Sequence, residues 1–326
     1  MMRDLTGRLC ALTAAIWTLS CVAAAAQPTT IVVPYAAGGP TDVVARLLAD
    51  RMGRTLGQTI IVENVAGAGG TIGPARVARS TPDGSTILIH HISLLAAPGL
   101  YSNLSYDTRT AFEPVGLVNT GPMVLVGRKT LAPADGAALI PWLKQNGDKV
   151  NFAHAGNGTS QHFCTVQLGN VVGFRPSFVS YRGAAPAMND LVAGQIDMIC
   201  DQSSNAIPQV QSGTVRAYAV TSKTRLDSIK DVPTMAEVGL PEVDYAVWHG
   251  LYVPKGTPPA TVEKLNAALR KALDDPLVIE RFKELGTTPF PADRRSPAAH
   301  ATLFSTEFDR LAKLIESAGL KATTAN

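Results

Sequence analysis

Past its N-terminal stretch, the chain of 326 residues has no apolar run long enough to cross a membrane. Catalytic signatures are missing too. There is no H-E-x-x-H, no helical pair of histidines at metal spacing and no G-x-S-x-G nucleophile turn. His90 and His91 are adjacent on a strand and point to opposite faces, so they cannot hold one ion together. No metal, no cofactor and no catalysis are expected. Basic clusters are also lacking: 29 Lys and Arg stand against 26 Asp and Glu, scattered along the chain, which excludes a nucleic-acid surface. Cysteine is scarce, with four residues.

The N-terminus reads as an export signal. Arg3 and Arg8 supply the positive start, Leu9 to Val22 is mostly apolar, and Ala24 to Ala26 offer the small residues of a cleavage site. Cleavage is expected after Ala26, leaving 300 residues (326 minus 26) with 27 basic and 25 acidic side chains. A membrane anchor or a lipid on Cys21 are the alternatives. Cys10 and Cys21 leave with the signal. Cys164 and Cys200 remain, and an even pair in an oxidising compartment points to a disulfide, with two separate buried thiols as the alternative.

The remaining length suits two α/β lobes. Strand and helix patterns alternate from Thr29 to His91 and again from Met123 to Thr221, a rhythm that implies mainly parallel sheets covered by helices. Three helical segments follow the extended run Val247 to Pro254, and they are expected to pack back on the first lobe. The chain then crosses between lobes twice, near Asn119 and near Val247. Lobe 1 is 27–121 and 247–326, and lobe 2 is 122–246. Two crossings form a hinge, and a hinge over a cleft can trap a ligand.

The motifs point to the ligand's charge. Ile31 to Asp42 reads I-V-V-P-Y-A-A-G-G-P-T-D: a buried strand, a glycine turn and a helix start. Such a turn aims unpaired backbone N–H groups and the positive end of a helix dipole into the cleft, which suits an anion. Asn64 to Gly73 repeats the arrangement after the second strand. It is not a dinucleotide fingerprint, because Ile72 stands where G-x-G-x-x-G needs glycine. Gly156 to His162 and Tyr181 to Pro186 form the matching loops of the second lobe. All four follow the carboxyl ends of strands, where open α/β sheets bind ligands.

Four segments together resemble one family. They are P-Y-A-A-G-G-P-T-D, the N-V-A-G-A-G-G-T-I-G loop, Y-R-G-A-A-P-A-M-N-D-L-V-A-G-Q-I-D-M, and D-V-P-T-M-A-E-V-G-L-P. The chain is similar, over nearly all of its mature length, to the Bug-type periplasmic receptors of tripartite tricarboxylate transporters, closest to the aspartate-binding branch. That resemblance implies an α/β, two-lobed periplasmic binding protein of type II, a Venus flytrap. It implies a monomer that closes on a small carboxylate, a dicarboxylate or an acidic amino acid, and delivers it to a membrane permease of one large and one small subunit. The ligand residues it implies are Tyr35, Ala36, Gly39, Thr41 and Asp42; Gly67, Ala68, Gly69, Gly70 and Thr71; Ser93; and, from the other lobe, Asn157, Thr159, Ser160, Arg182, Gly183 and Asp201. Asp201 either meets the ligand or caps the helix near Ser204. His90 to Pro98 departs from the commoner family pattern, which carries an Asn just before the proline. Two other functions remain open: a secreted hydrolase using Ser160 and His162, and a receptor for an ABC-type importer.

Overall fold

A computed structural model describes residues 28–317 and 322. The expected export segment, its cleavage point and Cys10 and Cys21 lie outside the described residues.

The first half begins with β1 (Thr29–Val33), which is mostly β-branched, and pairs in parallel with β2 (Ile60–Asn64) and β3 (Thr86–His91). Between β1 and β2 runs α1 (Pro40–Leu56), opened by proline in its first turn and closed by Gly57 at φ 69. Short α2 (Ile72–Ala78) follows the second glycine loop. After β3 the chain turns at once into α3 (Ser93–Leu100), a helix the sequence pattern does not announce, because its residues are apolar all round.

β4 (Phe112–Arg128) holds the molecule together. Its first part, Phe112 to Pro122, pairs antiparallel with β9 (Ala246–Pro254), and its second part pairs with β7 (Met198–Gln202) and β8 (Val215–Val220). The change of partner falls between Pro122 and Met123. Pro122 has no N–H to give to a ladder, and Met123 N–H donates instead to Thr221 Oγ1 at 2.8 Å. Sequence patterning finds a strand only from Met123 onward. The stretch 112–122 carries two prolines and two glycines, which hide its extended course.

The second half adds α4 (Gly136–Asn146), β5 (Asn151–His154), α5 (Ser160–Val172), β6 (Ser177–Ser180), α6 (Ala184–Val192) and α7 (Ser203–Gln211). The strand order is β2-β1-β3-β9-β4-β7-β5-β6, with β8 and the two-residue β10 (Thr288–Pro289) also on β4. Within this path Gly121 faces Val247 and Pro122 faces Ala246, so the two crossings lie side by side. After β9 come α8 (Pro259–Leu273), α9 (Pro276–Glu284) and α10 (Pro297–Ser317). They return to the first half: α8 packs against α1, and Ile315 of α10 packs on Gly99 of α3. Among the described residues no helix is long and apolar enough to cross a membrane.

Cys164 in α5 and Cys200 in β7 form a disulfide, with Cα atoms 6.1 Å apart and a sequence separation of 36. Both are buried in the core between helix and sheet. Replacing both by serine is expected to lower the unfolding free energy by about 3–4 kcal/mol through the greater loop entropy of the unfolded chain. Urea titration reads this as a lower midpoint; an unchanged midpoint would show that the bridge adds nothing.

Candidate functional site

The loops at the carboxyl ends of the strands meet at a seam between the halves. Ala36 N–H donates across it to the Arg182 carbonyl at 3.2 Å. Gly39, at the N-cap of α1, faces the N-terminus of α6: a Cβ there would lie 3.7 Å from the Ala185 nitrogen. Gly69, at φ 61, would bring a Cβ within 2.7 Å of the Asn157 carbonyl, and Gly156, at φ 116, would bring one within 2.4 Å of Gly69 Cα. Only glycine permits both the left-handed backbone and this approach. Ala68 beside them is the one non-glycine residue at positive φ among the described residues, at 45°, which is strain placed in the second glycine loop. Tyr101 Oη donates across the seam to Asn157 O at 2.9 Å. Tyr101 carries no motif signal, since it follows a helix that sequence patterning does not find.

These contacts border a cavity of about 430 Å³. Ala66 to Gly69, Ile72 and Tyr101 line it from one side, and Gly156, Asn157 and Ser180 to Arg182 from the other. Arg182 is the one charged residue in this lining, and it is exposed. The larger depression of about 850 Å³ between α1 and edge strand β2 is open surface, and none of the sequence-predicted site residues lines it.

The predicted residues fall into two groups. Ala36, Gly39, Gly67 to Gly69, Asn157, Arg182 and Gly183 stand at the seam or the cavity through their backbones. The others are held from behind. Asp42 is buried, and its carboxylate accepts from Gly38 N–H at 2.9 Å, Arg46 Nε at 2.9 Å and Nη2 at 3.0 Å, and Asn64 Nδ2 at 2.9 Å. Although burial opposes it, these donors hold Asp42 below the usual carboxylate range. It braces the first loop from within its own half. Asp201 is fully buried and accepts from Gln161 Nε2 at 3.0 Å, Gln202 N–H at 2.8 Å and Asn205 Nδ2 at 2.5 Å. Burial pushes its carboxyl up to about 6 despite those bonds. The capping role read for it is not found: Gln202 is the N-cap of α7, and no side chain caps that helix. Tyr35 stacks on His91 with ring centroids 5.0 Å apart, and its hydroxyl lies buried over Gly70.

Histidines supply what sequence reasoning left as structural or cleft-lining. His91 N–H donates to His90 Nδ1 at 2.9 Å, which leaves the His90 proton on Nε2, donated to the Gly70 carbonyl at 3.0 Å. His91 Nδ1 faces Ser93 Oγ at 2.9 Å, and His249 Nε2 faces Thr41 Oγ1 at 3.1 Å. In the second half His154 Nδ1 accepts Gly156 N–H at 3.0 Å and His162 Nδ1 accepts Gly158 N–H at 3.3 Å. Three of the four glycine loops thus rest on a buried imidazole. No group of side chains fit for a metal ion occurs among the described residues.

A mixed sheet in two halves, with the backbone loops of both meeting over a cavity, defines a two-lobed solute-binding protein. A model of the tripartite tricarboxylate transporter family receptor matches residues 44–320. The UPF0065 protein in the TAR-I ttuE-ttuC' intergenic region of Agrobacterium vitis is 47% identical over 293 residues, covering 90% of this chain and 85% of the relative. Among solved structures, the periplasmic binding protein BugD superposes with a TM-score of 0.87 at 43% identity, covering 91% of this chain and 99% of that one. MatC from Rhodopseudomonas palustris with bound malate follows, with a TM-score of 0.84, 39% identity and 89% and 99% coverage. The chain belongs to the tripartite tricarboxylate transporter receptors, whose members are periplasmic solute-binding proteins rather than enzymes.

Two expectations follow from the site. All six histidines are buried. Burial lowers His90 and His154 to about 4 and His162, His249 and His300 to about 3, from 6.5 when solvated. Below about 6.5 the unfolded chain therefore binds the more protons, and stability falls with pH by up to about 1.4 kcal/mol per unit for each histidine. Asp201, raised to about 6, acts in the opposite sense between about 4 and 6 and offsets one of them. Melting curves from pH 7 to 4.5 should show a steadily falling Tm; a flat profile would refute neutral, buried imidazoles. Second, Tyr101→Phe removes one hydrogen bond across the seam, so ligand affinity is expected to drop about five-fold, roughly 1 kcal/mol. Calorimetry checks this, with an unchanged Tm of the unliganded protein as control.

Proposed function

We propose that the chain is a periplasmic receptor that closes on a small carboxylate, a C4 to C6 dicarboxylate or an acidic amino acid, and hands it to the membrane subunits of a tripartite transporter. The observation that carries this reading is the seam made of backbone. Helix starts of α1, α5 and α6 and the Gly67 to Gly70 turn come together beside Arg182, which concentrates N–H donors and positive dipole ends where an anion would lie. The solved relative with malate supports a carboxylate ligand. The adjacent crossings in β4 and β9 support residues 122–246 moving as one lobe against the remainder. The family supports a tripartite transporter as the partner; one large and one small membrane subunit, and an export signal ending at Ala26, belong to this reading from the sequence.

Backbone recognition makes a specific prediction. A Cβ on Gly183 would sit 2.8 Å from the Ala36 nitrogen, so Gly183→Ala should hold the lobes apart. Titration calorimetry on protein unfolded and refolded to remove carried-over ligand should show micromolar or tighter binding of a dicarboxylate, with the ligand recovered unchanged. Gly183→Ala should weaken it at least ten-fold while the unliganded Tm stays within a few degrees. Conversion of the ligand to product would favour the hydrolase reading, and full affinity in Gly183→Ala would refute closure through this contact.

A further inference from the structure

A second hollow adjoins the Asn64 to Gly73 loop. It is a groove of about 450 Å³ between α2 and the segment 103–106 that follows α3. Small-molecule sites span roughly 300–1,000 Å³, so the groove is large enough to be one. The glycine loop divides it from the cavity at the seam: Val65 and Thr71 line the groove, Ala66 to Gly69 line the cavity, and Ile72 lines both. Ile72 is 43% exposed, a large apolar side chain left in water between the two hollows.

Two kinds of surface meet in the groove. Val65, Leu104 and Tyr106 are half-buried and packed on the core, so each turns an apolar face outward, and Ala75 completes this lining. Above them stand Arg76 and Arg79, three residues apart on the α2 side and both exposed. Glu63 of β2 pairs with Arg76 and shares its charge. Arg79 is different. Its Nη1 donates to Ser105 Oγ on the opposite wall at 3.3 Å, and it forms no ion pair among the described residues, which leaves most of its five N–H donors for a ligand. No carboxylate lines the groove, whereas the 850 Å³ depression sets Asp50 beside Arg46 and Arg54. Such a surface fits a molecule apolar at one end and anionic at the other. A dicarboxylate fits it less well, because its second carboxylate would lose water over the apolar lining.

We propose that this groove is a second binding site, separate from the seam, for small acids that carry an apolar body and a single carboxylate. Arg79 anchors the carboxylate with Arg76 beside it, and the body covers Leu104, Tyr106 and the exposed side of Ile72. The inference goes beyond the carboxylate-receptor reading and does not depend on it.

Titration calorimetry of the mature protein with butyrate, hexanoate and octanoate tests the proposal. Affinity should rise about two-fold for each added methylene, because a groove open on one side removes roughly half of each from water. Octanol, the same chain without the charge, should bind at least ten-fold more weakly than octanoate. An excess of malate should leave octanoate binding unchanged. Arg79→Ala should weaken octanoate at least ten-fold, with little change in the unliganded Tm because the side chain is exposed. No saturable binding of octanoate at millimolar concentration overturns the inference and leaves the receptor reading standing. Displacement of octanoate by malate would place the acid in the seam cavity, and equal binding of octanol would remove the anion from the recognition; either result refutes the proposal. So does full octanoate affinity in Arg79→Ala. Should that variant not fold, Leu104→Asp sets a carboxylate on the opposite wall and should weaken octanoate as much, and affinity retained there overturns the inference equally.

Discussion

Neutral imidazole buried behind a glycine turn is the interaction on which the recognition surface depends. A glycine loop alone is a poor binding element, because the freedom that lets its backbone approach a partner also lets it wander. In this protein the freedom is removed from beneath. His90 holds the Gly70 carbonyl, His154 and His162 hold the N–H groups of Gly156 and Gly158, and His249 holds the first turn of α1 through Thr41. Imidazole suits the task because one ring both donates and accepts, and burial keeps it uncharged.

The carboxylates near the loops are likewise held from behind. Asp42 and Asp201 are buried and surrounded by donors of their own half, Arg46, Asn64 and Gly38 for the first, Gln161, Asn205 and Gln202 for the second. Their role is to orient neighbours. Asp42 secures the turn before α1, and Asp201 sets the amide of Gln161 and through it the proton of Ser160. At the seam backbone meets backbone, from Ala36 to Arg182 and from Gly69 to Gly156.

β4 joins this surface to the rest of the fold. One strand of 17 residues serves both halves of the sheet and changes partner at Pro122, beside the returning β9. His249 of β9 and Asn119 of β4 lie within the same hydrogen-bond chain that ends at Thr41. The first glycine loop is thereby bonded to both β4 and β9.

The sequence by itself determined the strand–turn–helix units, because periodicity, glycine and proline are local signals: β1 with α1, β5 with α5, and the run of helices after Pro258 all follow from them. It determined the chemical character of the loops for the same reason, and the resemblance of four sequence segments pointed to the family. Only the tertiary structure decided which partner each polar side chain takes. Whether Asp42 meets an anion or Arg46, whether Asp201 caps a helix or holds Gln161, and which way the Thr41 proton points depend on residues up to 208 positions away. The course of 112–122 and the helix 93–100 were likewise illegible, since burial among distant strands outweighed weak local propensity. Hydrogen-bond direction is a property of a network, and a network exists only once the chain has folded.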